Sequence, residues 1–251
     1  MFPKHASVDP GAYHAGLARR ASDSGATLIP DCAATNLEQV GNGHEVNTLQ
    51  GRIHARHVIV ATNGYSGGLL PWLQQRIIPI GSYIIATEEL PEDQVNHLFP
   101  TNRILSDTRK LVYYYRLSPD RKSILFGGRV SLRETDPRKS GPILRRDLVA
   151  IFPDLKEVRI DHSWAGTVGY TFDYLMHAGR HRGVHWAAGY CGSGVGMASY
   201  LGNMIGRQVA GDKTAKTVFA NIPFHGRPYY RGNPWFLAPS VLWYRILDGI
   251  R

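Results

Sequence analysis

The chain is poor in cysteine. Cys32 and Cys191 are the only two among 251 residues, so a disulfide framework is not expected to hold the fold. Long apolar runs are also missing: none approaches the roughly 20 residues that cross a bilayer. The opening Met1-Phe2-Pro3-Lys4-His5-Ala6 lacks the apolar core of a signal peptide. A cytoplasmic protein without a membrane partner is the expectation. There is no internal repeat and no low-complexity tract, and the histidines show no metal-ligand spacing, so no metal site is expected. Acidic residues are in the minority, 20 against 29 Lys and Arg, for a formal net charge of +9. Such an excess fits either an anionic partner or a solvated basic surface. The basic residues are scattered, as in Arg19-Arg20, Arg138-Lys139 and Arg145-Arg146. With no basic helix and no aromatic-plus-basic motif, no nucleic-acid partner is expected.

What is present reads as α/β at both ends, with antiparallel sheet between. Asp9-Pro10 is a strong helix start, Tyr13, Leu17 and Ala21 recur at helical spacing, and Gly25 supplies a stop. Thr27-Leu28-Ile29-Pro30 reads as a short strand. Val46 to Leu49 and Arg52 to Ala55 flank Gln50-Gly51 as a hairpin. His57-Val58-Ile59-Val60-Ala61-Thr62 is a β-branched run of the kind buried on both faces, and Asn63-Gly64 turns the chain. From Arg76 the character changes. A long strand to Thr87, strands Leu111–Leu117 and Ser123–Gly128 around a Ser118-Pro119-Asp120-Arg121 turn, and an extended run Val158–Tyr170 predict an antiparallel sheet. Ile143, Leu144, Leu148 and Ile151 mark a helix between Pro142 and Pro153. The expected division is 1–71, 72–162 and 163–251, with the middle part inserted into a split α/β domain. A ligand between the two parts would meet α/β loops on one side and the inserted sheet on the other.

The stretch that carries most information is Trp186-Ala187-Ala188-Gly189-Tyr190-Cys191-Gly192-Ser193-Gly194-Val195-Gly196-Met197. It leaves a strand, passes through glycines and opens a helix whose expected buried stripe is Val195, Ala198, Leu201, Ile205 and Val209. The first N–H groups of a helix are unpaired and carry the positive end of its dipole. Glycines let a ligand approach that backbone closely.

Four segments, in order, resemble the FAD-dependent amine and amino-acid oxidoreductases of the D-amino-acid oxidase superfamily, most of all its γ-glutamylputrescine oxidase-like branch. They are Val58 to Tyr65, Ile77 to Thr87, Trp164-Ala165-Gly166 with Thr171-Phe172-Asp173, and Ala187 to Gly202. The tail Gly226 to Phe236 is similar too. The resemblance implies FAD as cofactor, with Thr62 and Asn63 near the dinucleotide. It also implies that Gly189, Gly192, Ser193, Gly194, Val195 and Gly196 lie at the flavin ring. A helix start there would stabilise negative charge on a reduced flavin. It implies a substrate domain in the inserted sheet, a small-molecule amine as substrate, and oxygen as the electron acceptor.

Family members begin with a strand, Gly-x-Gly-x-x-Gly and a helix, which hold the pyrophosphate. This chain has no such motif, so the resemblance places its start inside the FAD domain, after the first βαβ unit. The Trp164 to Tyr170 run has no arginine to fork a substrate carboxylate, which favours a polyamine-like amine or an N-substituted amino acid over a simple amino acid. The covalent-flavin cysteine of some relatives is replaced near Gly166, so FAD would be held without a covalent link. The lysine that some relatives use toward oxygen is absent between Arg76 and Leu90. Tyr83, Trp164 and Tyr170 are candidate pocket walls, with core packing the alternative for each. Asp173 is either an orienting group or a turn cap, Arg129 either an anion contact or a surface residue, and Cys191 an inert thiol. The alternative to an amine oxidoreductase is a non-catalytic relative that does not hold FAD by itself.

Overall fold

The computed structural model describes residues 6–128 and 136–249; Arg129 lies outside them. The elements run α1 (Pro10–Asp23), β1 (Ala34–Val40), β2 (Gly43–Thr48), β3 (Gly51–Ala55), β4 (Ile59–Val60), α2 (Pro71–Gln74), β5 (Ile78–Thr87) and α3 (Glu92–Leu98). They continue β6 (Leu105–Ser106), β7 (Tyr114–Leu117), β8 (Ile124–Gly128), α4 (Pro137–Ile151), β9 (Ile160–Tyr170), β10 (His177–His181), β11 (Val184–Ala188), α5 (Gly194–Val209) and α6 (Leu237–Gly249). The chain forms two units. One takes the residues up to Tyr13, Gly81–Gly166 and the residues from Trp235; the other takes His14–Ile80 and Thr167–Pro234.

The first unit is built on a five-stranded sheet in the order β6-β7-β8-β5-β9. β8 pairs antiparallel with both β7 and β5, placing Tyr83 opposite Gly128 and Tyr115 opposite Phe126. Alternation sends Tyr83, Ile85, Leu117, Ile124 and Phe126 to one face. There they are buried with Leu144 and Leu148 of α4 and Val95 of α3. The helix expected from Pro142 begins five residues earlier. Asp136 caps it by accepting from the Arg138 N–H at 2.8 Å, Pro137 takes the first position, and Pro142 is carried inside. An Asp-Pro start satisfies an orphan donor and presets φ together, which outweighs the one bond Pro142 forgoes. In the tail, α6 is anchored by Asp248, whose carboxylate accepts from the Lys110 and Leu111 N–H groups at 2.8 and 3.1 Å.

The second unit contains two three-stranded sheets. One is the antiparallel meander β1-β2-β3; its β2–β3 turn is the expected hairpin, and β1 was not foreseen. The other has the order β10-β11-β4, with β11 antiparallel to β10 and parallel to β4. Its core comprises Val60, Leu73, Ile77, Val184, Trp186 and Ala188, and a further cluster joins Ala187, Tyr190, Leu201 and Ile205 of α5.

Three expectations are corrected in this unit. Residues 27–30 form no strand, and Leu28 and Ile29 are more than half exposed. The β-branched run keeps only Ile59 and Val60 as strand, and Ile59 is 46% exposed because β4 is an edge of its sheet. In α5, Leu201 and Ile205 are buried as expected, while Val195 is 51% exposed and Ala198 is exposed as well. The buried stripe therefore starts a turn later than the periodicity predicts. No described helix is long and apolar enough to cross a membrane, and no described group of three or more His, Cys, Asp or Glu could hold a metal ion.

Candidate functional site

The glycine-rich turn between β11 and α5 is the centre of the candidate site. β11 ends at Ala188, and Gly189 then adopts φ +78°, followed by Cys191 at +49° and Gly192 at +95°. This left-handed sequence folds the chain back, so that Ser193 N–H donates to the Tyr190 carbonyl at 2.8 Å and α5 opens at Gly194. Ser193 is the N-cap residue, but its side chain makes no capping bond, and the first turn contains no acidic residue. The amides at the start of α5 therefore keep their positive field without an internal anion. Gly192, Ser193, Val195 and Gly196 are exposed. A Cβ built on Gly196 would meet nothing within 4 Å, and one on Gly194 only the Tyr190 side chain, at 3.8 Å.

A second loop locks this turn. Asn63, at φ +43°, accepts the Gly189 N–H on its side-chain oxygen at 2.9 Å. The chain crosses itself closely here. A Cβ on Gly64 would lie 2.6 Å from the Thr167 carbonyl oxygen, and one on Gly169 would lie 2.4 Å from the Asn63 side-chain oxygen. The Thr167 N–H donates to the Tyr65 hydroxyl at 3.0 Å, and the Cys191 N–H donates to the Gly169 carbonyl at 3.1 Å. Thr62 reaches the Ser66 hydroxyl at 2.9 Å. The structure thus brings Thr62 and Asn63 to the glycine turn, along with Gly64, Tyr65 and Gly169, which sequence reasoning did not single out. Gly169 had a readable signal, since a glycine inside a strand marks a close backbone approach.

Tyr170 lies in the same unit, half-buried, 6.2 Å edge-to-face from Tyr174; its hydroxyl lies 3.9 Å from where a Gly192 Cβ would stand. Trp164 and Tyr83 belong to the other unit. Trp164 is 41% exposed on β9, and Tyr83 is 2% exposed within the sheet core. Cys191 is half-buried, its Sγ 3.2 Å from the Gly189 carbonyl.

Asp173 closes the loop after β9. Its carboxylate accepts the Leu175 N–H at 3.1 Å and meets Nε2 of the fully buried His177 at 3.1 Å. Burial pushes this carboxyl up, but the Leu175 N–H, His177 and Thr171 together outweigh it and hold the group below the usual carboxylate value. A depressed folded value gives stability that is fully present above the unfolded value of about 3.9 and is lost as pH falls through the folded one. Urea unfolding followed from about pH 5 to about pH 2 should show a shallower loss for Asp173→Asn than for the unsubstituted chain. Equal slopes would remove Asp173 from the acid response.

The residues fit a large, electron-rich ligand. The exposed helix start is uncapped by any side chain, and its glycines leave open space where a side chain would stand. A mixed α/β unit with an open, glycine-lined helix start is the class of architecture that can seat a nucleotide-like cofactor.

Comparison with known proteins agrees with that class. The model of the family described as FAD dependent oxidoreductase (DAO) matches residues 1–208. A probable oxidoreductase, OrdL of Rhizobium meliloti, is 34% identical over 248 residues, covering 96% of this chain and 56% of its own length. The gamma-glutamylputrescine oxidoreductase of Escherichia coli is 35% identical over 208 residues, covering 81% of this chain and 48% of its own. The chain belongs to the FAD dependent oxidoreductase family. It spans about half the length of the curated relatives it matches. Among solved structures, glycine oxidase from Geobacillus kaustophilus matches with a TM-score of 0.65 at 18% identity, over 86% of this chain and 57% of the other. L-proline dehydrogenase from P. horikoshii matches at 0.66 and 20%, over 84% and 57%. These two likenesses concern the fold.

Proposed function

We propose that the chain is the flavin-ring and substrate-facing part of an amine oxidoreductase that acts on a C–N bond of a polyamine-like amine or an N-substituted amino acid. Membership of the family and the similarity to a gamma-glutamylputrescine oxidoreductase support this reading. One observation carries it: the open, uncapped start of α5, locked to Asn63 through Gly189. FAD, when bound, supplies a two-electron acceptor that takes a hydride from the carbon beside the amine nitrogen. The chain's part is to hold and orient. Backbone N–H groups of Gly194, Val195 and Gly196 present the positive field, and Gly192 and Ser193 supply close approach. Thr62 and Asn63 would hold the dinucleotide side, without a covalent link at Gly166. Tyr170 and Trp164 are the proposed substrate contacts. Tyr83, the third proposed substrate residue, is buried in the sheet core. Oxygen is the proposed final acceptor, and the proposed compartment is the cytoplasm. The proposed domain division is 1–71, 72–162 and 163–251.

A second reading rests on a different observation. None of the residues of α1 is buried, and Ile59 on the β4 edge is 46% exposed. A unit with that much uncovered apolar surface would hold FAD weakly by itself, and the chain would then act as a non-catalytic binding domain.

The test is the absorbance spectrum of the purified chain with excess FAD. A bound-flavin spectrum that bleaches on adding spermidine under nitrogen supports the first reading; free flavin at saturation excludes catalysis by this chain alone and favours the second. In the complete protein, Gly194→Val should abolish flavin uptake while changing unfolding free energy by only about 1 kcal/mol, because its nearest neighbour is in ordinary contact range. Undiminished flavin content in that variant would remove the ring from this turn.

A further inference from the structure

The second unit carries a cavity that the flavin reading leaves unused. Its volume is about 560 Å³, within the range of small-molecule pockets. It lies beside Val184, at the start of β11, whereas the glycine turn follows Ala188 at the other end. At 3.3 Å per residue the strand separates the two by about 13 Å.

Leu37, Leu69, Leu70 and Val184 give the cavity an apolar wall. Its polar side chains are those of Gln39, His44, Trp72, Gln75, His181 and Arg182, and among the described residues no carboxylate lines it. Arg182 is exposed and makes no ion pair or side-chain hydrogen bond among the described residues. It stands at φ +47° in the two-residue turn between β10 and β11 and lines the cavity. His44 is 5% exposed, and both of its ring nitrogens are buried without a hydrogen-bond partner among the described residues. A buried polar side chain with neither nitrogen satisfied is rare and calls for an explanation. His181 is stacked on Trp72, with ring centroids 4.3 Å apart, and is held in place by it.

We infer that this cavity is a second binding site, for a small aliphatic carboxylate. The apolar wall takes the hydrocarbon body, and the planar fork of Arg182 suits a carboxylate better than a point cation would. The amides and imidazoles supply further donors, and the absence of a lining carboxylate disfavours cationic ligands such as the amines of the proposed reaction. The site is independent of flavin binding.

Hexanoate is the probe, with 1-hexanol testing the need for charge and acetate the need for an apolar body. The expected result is millimolar binding of hexanoate by titration calorimetry, with the Trp72 indole N–H resonance shifting in step, assigned through Trp72→Phe. Acetate and 1-hexanol should each bind at least about tenfold more weakly. Arg182→Gly should weaken hexanoate by about tenfold or more, the loss of one charge-assisted pair. Glycine suits the positive φ at that position, so the turn should survive, and an unchanged melting temperature verifies this. Four results would overturn the inference: no hexanoate binding, equal binding of 1-hexanol or acetate, an unmoved Trp72 resonance at saturation, or unchanged affinity in Arg182→Gly.

Discussion

Gly189→Ala should lower the unfolding free energy by about 3 kcal/mol, the sum of a left-handed backbone cost of about 1 kcal/mol and an overpacking cost of about 2. The backbone part follows from φ +78°. The packing part follows from the Thr171 methyl, which lies 2.2 Å from where the new Cβ must stand. Thr171 has little freedom to rotate away. It is 2% exposed, and its hydroxyl is committed to the Leu175 carbonyl at 2.8 Å. For a chain of this size the melting temperature should fall by about 10 °C. The two parts are separable. Thr171→Ser removes the obstructing methyl and keeps the hydroxyl, so adding it to Gly189→Ala should restore about two thirds of the loss. It leaves the backbone part in place. A double variant no more stable than Gly189→Ala would refute the steric account.

Trp186→Ala should cost about 3–5 kcal/mol, and its effect reaches the same turn by another route. Trp186 is 4% exposed on β11, three residues before Gly189. Its ring stacks on Phe224 at 5.1 Å and leans on Trp72 at 5.2 Å, while Gly179 opposite it on β10 leaves room for the indole. Truncation would open a cavity under the strand that delivers the glycine turn. The indole N–H, however, is buried without a partner among the described residues. Trp186→Phe keeps much of the apolar volume and removes that unpaired donor, so it should cost only about 1 kcal/mol. Urea unfolding of the pair distinguishes packing from hydrogen bonding. A phenylalanine as damaging as the alanine would show that the N–H is satisfied after all.

The sheet unit was legible because its strands carry strong local signals. The Ser118 to Arg121 turn closes with the Arg121 N–H donating to the Ser118 carbonyl at 2.9 Å, and the flanking runs pair as expected. The glycine turn was legible for the same reason, with a strand, glycines and an apolar helix in succession. What stayed hidden depends on partners far along the chain. β10 reads His177-Ala178-Gly179-Arg180-His181, which has no β-branched residue, and it exists as a strand because β11 pairs with it across a two-residue turn. The run from His57 to Thr62 has full strand character, yet only Ile59 and Val60 find a partner, in β11. The reading that Thr27 to Pro30 form a strand failed similarly, since apolar residues without a neighbouring strand stay in coil. Val195 was assigned both to the buried stripe and to the ligand face; its 51% exposure frees it for the second role.

The bond from the Gly189 N–H to Asn63 joins positions 126 residues apart. Closing so long a loop costs a disordered chain about 4 kcal/mol in entropy, by the logarithmic dependence on loop length. β4 and β11, whose pairing is equally distant in sequence, share that cost. The five-stranded sheet lies between them in the chain, so any order it acquires before they meet lowers that cost, and the glycine turn is a contact that depends on residues distant in sequence.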